Sequence, residues 1–309
     1  MTAAEVARPP ARGPAGLLPP EELLRLGSLE LIARLVVEGY LAGRHRSPGL
    51  GGSLEFAEHR PYVPGDDLRR VDWKVFGRTD RWYLRESEQE TNLRATLVLD
   101  ASASMGFASA GRVTKWAWGR ALAAALAWLL LAQQDAVGLA VFDDGIRTFV
   151  PPRGGRAQKA RLFAALEAEE AAGGTSPEGP FRELAERLPR RGLLVLVSDL
   201  LGPPERFLPG LRYFRHRKHE VVVFHVLDPA ERSLGILPAG GEIVDIETGR
   251  TLRARPEELA RGYREELDAL ERRYRDQAHD RGFDWVATTS DEPIAAVLGR
   301  YLAARRHRV

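Results

Sequence analysis

From residue 93 onward, short apolar runs alternate with amphipathic stretches, and this pattern predicts strands alternating with helices. The predicted strands are Leu97–Leu99, Val137–Phe142, Leu193–Val197, Val221–Val226 and Phe283–Ala287. The runs Leu97–Leu99, Leu193–Val197 and Val221–Val226 show no regular alternation of polar and apolar residues, which is typical of strands buried on both faces of a parallel sheet. Helical spacing predicts helices over 114–133, 159–170, 180–188, 203–214, 256–277 and 293–304. The pattern therefore predicts one α/β domain with a mostly parallel sheet and helices on both faces.

The pattern also predicts how the chain is divided. Residues 1–20 are rich in Pro, Ala and Gly and lack the apolar core of a signal peptide, so we expect a disordered arm. Residues 21–92 are predicted to form a helical and hairpin region, with Leu24, Leu31 and Leu35 at helical spacing. Residues 93–309 form the predicted main domain. It carries a short β insertion near 234–255, where Gly turns separate short strands.

Composition narrows the possible chemistry and location. The 309 residues include no cysteine, which excludes disulfides and thiolate metal sites, and the net charge is only +2. The most apolar stretch, Ala121–Ala132, is shorter than the roughly 18 residues that span a bilayer. We therefore expect no membrane span and a cytoplasmic protein. The basic clusters Arg215–His219 and Arg305–Arg308 contain no interleaved aromatic residues. Nucleic-acid binding is accordingly not expected.

Candidate chemistry is concentrated where predicted strands end. Asp100, Ser102 and Ser104 follow the first buried strand at alternate positions. Thr175 lies in a Gly-Gly-Thr loop, and Asp199 follows another buried strand. Carboxylate and hydroxyl oxygens are hard ligands, which Mg²⁺, Mn²⁺ and Ca²⁺ prefer. Right-handed crossovers in a parallel sheet would bring these five residues to one edge, so the sequence predicts a divalent cation site there.

This set of residues resembles the metal-ion-dependent adhesion site of von Willebrand factor type A domains, in which Asp-x-Ser-x-Ser is followed by Thr and then Asp. The resemblance implies a von Willebrand factor A-like, or Rossmann-like, fold. It also implies a Mg²⁺ site, with Mn²⁺ or Ca²⁺ as alternatives, at Asp100, Ser102, Ser104, Thr175 and Asp199. Such a site binds an acidic residue of a protein partner.

A second motif makes the resemblance more specific. Glu55–Lys74 contains Arg-x-Tyr-x-Pro-Gly-Asp-Asp and ends in Asp-Trp-Lys, and Asp-Ala-Ser-Ala-Ser-Met follows at Asp100–Met105. Together these motifs resemble the bacterial family known as domain of unknown function fifty-eight, which is often associated with MoxR-type AAA+ ATPases. Two interpretations of Glu55–Lys74 remain open at this point. Its Arg and Asp side chains either pair with one another as a structural knot or form a contact surface.

Three classes of function remain open. The first is a metal-dependent binding module for a protein partner with an acidic residue, working with a MoxR-type ATPase in the assembly or maturation of protein complexes. The second is a metal-dependent hydrolase, such as a phosphatase with Asp100 as nucleophile, although Ser102 stands where a second acid is usual. No nucleophile elbow or P-loop is present in the sequence. The third, a nucleic-acid binder, depends on the basic clusters alone. We expect a binding module rather than an enzyme.

Overall fold

The structure is a computed structural model that describes residues 18–45, 59–61, 76–77, 82–85, 93–174, 176–202, 204–233, 242–244, 251–253 and 256–306. The chain divides into two compact units. One contains the residues up to Ala42 together with those from Leu93 onward, and the other contains Gly43–Asn92. The sequence pattern predicts one region over 21–92, whereas the two units divide it between Ala42 and Gly43.

The smaller unit contains an antiparallel strand pair, β1 (His59–Pro61) and β2 (Tyr83–Arg85). Arg60 lies opposite Leu84 in this pair. Apart from β1, the Glu55–Lys74 motif lies outside the described residues, so both interpretations of that motif remain predictions.

The larger unit is built on a six-stranded sheet and includes a separate short hairpin. The hairpin pairs Glu242–Val244 (β8) with Thr251–Arg253 (β9), inside the stretch predicted as a β insertion. The strands of the main sheet are β3 (Arg94–Asp100), β4 (Ala136–Phe142), β5 (Ile146–Arg153), β6 (Gly192–Ser198), β7 (His219–Leu227) and β10 (Asp284–Thr289). Their order is β10-β7-β6-β3-β4-β5, and only the edge strand β5 is antiparallel to its neighbour.

Helices connect these strands and cover both faces of the sheet. They are α1 (Pro20–Leu23), α2 (Leu29–His45), α3 (Lys115–Ala132), α4 (Arg156–Ala168), α5 (Glu178–Arg187), α6 (Pro204–His216), α7 (Pro229–Ser233), α8 (Pro256–Asp280) and α9 (Ile294–Arg306). Helices α2, α3, α4 and α9 contribute to one core cluster, and α5, α6 and α8 contribute to the other. Among the residues that the structure describes, no helix is both long and apolar enough to cross a membrane.

Strand β3 shows why the central strands are apolar throughout. Leu97 and Leu99 are buried in the first core cluster, and Val98, which points to the opposite face, is buried in the second. Helix α3 is likewise apolar almost all round, because it is buried between the sheet and its neighbouring helices. The predicted α/β class, with a mostly parallel sheet and helices on both faces after an N-terminal helical region, is confirmed.

Candidate functional site

The candidate site lies where the order of the strands reverses. β3 pairs with β4 on one side and with β6 on the other, so the chain winds outward in both directions from the β3–β6 junction. Asp100 is the last residue of β3, and Asp199 directly follows β6. In doubly wound sheets, ligands bind in the crevice outside the carboxyl ends of the strands at this switch point. Topology therefore brings Asp100 and Asp199 to the position where ligand binding is expected.

Asp100 is a fully buried carboxylate whose hydrogen bonds come from neutral donors. The Ser102 backbone N–H donates to Oδ1 at 2.9 Å, and the Ser198 hydroxyl donates to Oδ2 at 2.6 Å. Burial, together with repulsion from Asp199, raises the pKa of Asp100 to about 7, and the hydrogen bonds only partly offset this. The negative charge at the end of β3 is therefore poorly compensated in the protein by itself.

The loop after Asp100 brings two hydroxyl groups together. Ser102 precedes a 3-10 turn at Ala103–Gly106, and the Oγ atoms of Ser102 and Ser104 lie 3.1 Å apart. Both serines are buried, so neither hydroxyl is simply a solvent-exposed loop group. The three nearby residues of the Asp-x-Ser-x-Ser motif thus present one carboxylate and two hydroxyls at the switch point.

Backbone hydrogen bonds connect this loop to the Gly-Gly-Thr loop. The Ala103 N–H donates to the Gly173 carbonyl at 2.9 Å, and the Ala172 N–H donates to the Ala101 carbonyl at 2.7 Å. Gly173 has a positive φ of 95°, a conformation that favours glycine. Thr175 itself lies outside the described residues. The structure nevertheless places the residues just before Thr175 against the loop that carries Ser102 and Ser104.

Asp199 differs from Asp100 because it is paired with a cation. Its Oδ2 atom lies 2.8 Å from the Nζ atom of Lys115, and that same ammonium lies 2.5 Å from Oε1 of Glu231. Lys115 and Glu231 were not predicted from the sequence. The available signal was a charged residue at the start of a helix that is apolar apart from Lys115 and Arg120. Lys115 is also one of only four lysines in the chain.

Residues at and just after the carboxyl end of β7 make hydrogen bonds around Asp199 and the neighbouring loop. His225 donates from Nε2 to the Asp199 carbonyl at 2.8 Å, and burial lowers the pKa of this histidine to about 4. Asp228 accepts hydrogen bonds from the Ser109 N–H at 3.0 Å and from the Ala230 N–H at 2.8 Å. These contacts hold the segment after Asp199, the loop after the 3-10 turn and helix α7 in a fixed arrangement.

The donor chemistry at the switch point fits a hard divalent cation. Among the described residues, no group of three or more His, Cys, Asp or Glu side chains is placed to hold a metal ion. The candidate set instead combines the poorly compensated Asp100 with the converging hydroxyls of Ser102 and Ser104, with Asp199 nearby. Such oxygens suit Mg²⁺, Mn²⁺ or Ca²⁺. Cation binding at the switch point is a prediction.

The order of the strands defines a doubly wound α/β protein. Its candidate site consists of carboxylate and hydroxyl oxygens at the switch point. Comparison with known proteins then gives the family. The model of the family described as "Protein of unknown function DUF58" matches residues 58–277. The chain therefore belongs to this family, as the motifs at Glu55–Lys74 and Asp100–Met105 indicated.

Mycobacterial proteins are similar to most of this chain. The chain is 33% identical over 253 residues to the uncharacterized protein Rv1480 of Mycobacterium tuberculosis, an alignment that covers 79% of this chain and 77% of that protein. The uncharacterized protein Mb1516 of Mycobacterium bovis matches with the same identity and the same coverage.

The solved structures that match this chain are more distant in sequence. The conserved hypothetical protein BatB from Bacteroides thetaiotaomicron is 14% identical with a TM-score of 0.43, covering 69% of this chain and 98% of that chain. The SpRpn10 VWA domain is 10% identical with a TM-score of 0.39, covering 67% of this chain and 94% of that chain.

Proposed function

We propose that this protein is a binding module rather than an enzyme, and that it uses a divalent cation at the switch point to bind an acidic residue of a protein partner. Asp100, Ser102 and Ser104 would hold the cation, with Thr175 and Asp199 completing the set. When bound, the cation would supply a positive centre for an anionic oxygen. Mg²⁺ is the expected ion because it accepts few protein ligands and retains exchangeable waters.

One observation carries this proposal. Asp100 is completely buried, yet its hydrogen bonds come from neutral groups of Ser102 and Ser198. A buried carboxylate in such surroundings is costly unless a cation compensates it. The Oγ atoms of Ser102 and Ser104 lie 3.1 Å apart and would add neutral oxygen ligands. Neutral ligands would leave much of the cation's charge available to a carboxylate, which gains more from a charged contact than an amide does.

The proposed partner follows from the family resemblance. The resemblance implies a link to MoxR-type AAA+ ATPases, so we propose that such an ATPase works with this chain in the assembly or maturation of protein complexes. We propose that the two proteins bind each other in the cytoplasm, where ATP is available to the ATPase.

The first test is metal binding by the full chain. We expect Mg²⁺ to bind in calorimetry and to raise the melting temperature slightly, because binding at a concentration equal to Kd adds only about 0.4 kcal/mol of stability. Asp100→Ala should fold and lose the binding heat. Asp268→Ala, which removes an exposed carboxylate on α8, is the matched control and should bind as the wild type does. Full Mg²⁺ binding by Asp100→Ala would refute the site.

The second test is partner binding. A purified MoxR-type ATPase from the same organism should be retained by the immobilised chain in Mg²⁺ and released by chelator. Replacing Ser102 and Ser104 together with alanine should also abolish retention, and so should changing the responsible acidic residue of the partner to its amide. Retention with unchanged affinity in excess chelator would contradict the mechanism.

A further inference from the structure

Lys115 is a buried cation at the edge of the candidate site. It is the first residue of α3, its side chain is inaccessible to solvent, and its ammonium contacts Asp199 at 2.8 Å and Glu231 at 2.5 Å. Burial lowers the pKa of Lys115, but attraction to the two carboxylates outweighs this effect and leaves the pKa above its ordinary value. The residue therefore remains a charged ammonium inside the protein.

The second carboxylate of this triad is also fixed in place. Glu231 lies on α7, where its Oε1 contacts Lys115 and its Oε2 accepts a hydrogen bond from the Asp228 N–H at 2.8 Å. Thr114 caps the start of α3 by accepting a hydrogen bond from the Ala117 N–H at 3.0 Å. Contacts from α3, from the end of β6 and from α7 thus hold the Lys115 ammonium against Asp199.

The two aspartates at the switch point consequently have different surroundings. Asp100 is surrounded by neutral donors, whereas the Oδ2 atom of Asp199 is bound to a full positive charge. Among the residues that the structure describes, the other oxygen of Asp199, Oδ1, receives only a long hydrogen bond of 3.4 Å from the Leu201 N–H. A cation near both aspartates would therefore be attracted more strongly to Asp100 than to Asp199.

We propose that Lys115 is a positioning residue that restrains Asp199 and compensates part of its charge, and thereby weakens cation binding at the switch point. This inference rests on the proposed cation site. When Lys115 neutralises part of the Asp199 charge, the bound cation keeps more of its positive charge than it would beside two unpaired aspartates. It therefore attracts an incoming carboxylate more strongly. Lys115 would accordingly lower the affinity for the metal and favour the partner's acidic residue as an additional ligand.

The test compares Mg²⁺ affinity by calorimetry in variants of the full chain. Lys115→Met releases Asp199 from its ion pair, so the affinity should rise by about tenfold. Glu231→Gln leaves the ammonium to Asp199 alone, so the affinity should fall severalfold. A purely structural Lys115 would instead give weaker binding in both variants. The control variant is Lys159→Met. Lys159 lies on α4 and pairs with Glu30 instead of an aspartate of the site, so its replacement should leave the Mg²⁺ affinity unchanged.

A double variant separates the restraint of Asp199 from misfolding and from a change in overall charge. Lys115→Met alone leaves the buried Asp199 beside the half-buried Glu231 without a cation and risks misfolding. Lys115→Met combined with Glu231→Gln keeps the wild-type net charge. If only the overall charge mattered, this double variant would bind Mg²⁺ with unchanged affinity. Release of Asp199 predicts binding about tenfold tighter. Circular dichroism before titration establishes that the variant is folded.

The two proposals fail in different ways. Absence of Mg²⁺ binding by the wild type would refute the cation site, and the role of Lys115 with it. Normal Mg²⁺ binding by the wild type, combined with unchanged or weaker binding by the folded double variant, would refute the role of Lys115 alone and leave the cation site intact.

Discussion

At the scale of single residues, neighbours decide what each carboxylate can do. Asp100 is the last residue of β3, Asp199 directly follows the adjacent parallel strand β6, and both are buried. Asp100 contacts neutral donors, and its pKa is raised to about 7, whereas Asp199 is paired with Lys115. The same residue type at two neighbouring strand ends thus has two different electrostatic surroundings. This difference makes Asp100 the principal candidate ligand.

The cap of α3 gives a test at this scale. Thr114→Ala removes the acceptor for the Ala117 N–H, so the free energy of unfolding should fall by about 1 kcal/mol. Urea denaturation measures this change. Thr114→Ser keeps a hydroxyl at the cap and should retain most of the stability. Equal losses in the two variants would show that the methyl group, and not the cap, is responsible.

At the scale of elements, the edge of the sheet depends on one close backbone approach. Gly138 lies on β4 where the pairing with β5 shifts register between Val137 and Leu139. A Cβ atom at Gly138 would come within 2.7 Å of the Val150 carbonyl and 2.8 Å of the Pro152 nitrogen. The two prolines at the end of β5 are tolerated because β5 is an edge strand. Glycine at position 138 allows this irregular edge to form.

Gly138→Ala should therefore push β5 away from β4. We expect a loss of about 2 kcal/mol in the free energy of unfolding, since the clash is with backbone that cannot rotate aside. Hydrogen exchange should show faster exchange in β5, with β3 and β6 protected as before. Gly145→Ala is the control, because a Cβ atom at the turn between β4 and β5 meets nothing within 4 Å. Wild-type stability of Gly138→Ala would contradict this account.

At the scale of the whole molecule, the N-terminal helices belong to the core of the sheet unit. Leu23 of α1, together with Ile32 and Val36 of α2, is buried in the same cluster as Leu97 and Leu99 of β3. A helix that shares a core with the central strand contributes directly to its stability. The N-terminal helices are accordingly expected to unfold together with the sheet in one transition.

Ile32→Ala tests this shared core. The buried side chain is 3% exposed, so its removal should lower the free energy of unfolding of the whole larger unit by about 2–5 kcal/mol. Leu31→Ala, at a neighbouring position that is 36% exposed, should change it by about 0.5 kcal/mol or less. Tryptophan fluorescence and circular dichroism should report the same shifted midpoint. Loss of the helices at lower urea, with an unchanged main transition, would show that they fold separately.

The sequence by itself determined the strands, most of the helices and the α/β class, because a strand buried on both faces must be apolar throughout and a helix between two layers must be apolar at helical spacing. It also placed Asp100, Ser102, Ser104 and Asp199 at strand ends, and the structure brings those ends together at one switch point. These features follow from local patterns, which are encoded in consecutive residues.

Only the tertiary structure decided how the charges at that edge are paired. Lys115 and Glu231 are 84 and 32 residues from Asp199 in the sequence, and nothing in the local patterns connects the three residues. The packing of α3, β6 and α7 brings the carboxylates of Asp199 and Glu231 into contact with the Lys115 ammonium. In the same way, the inclusion of α1 and α2 in the sheet core depends on contacts far apart along the chain. Electrostatic pairing is a property of distance in space, which the order of residues does not specify.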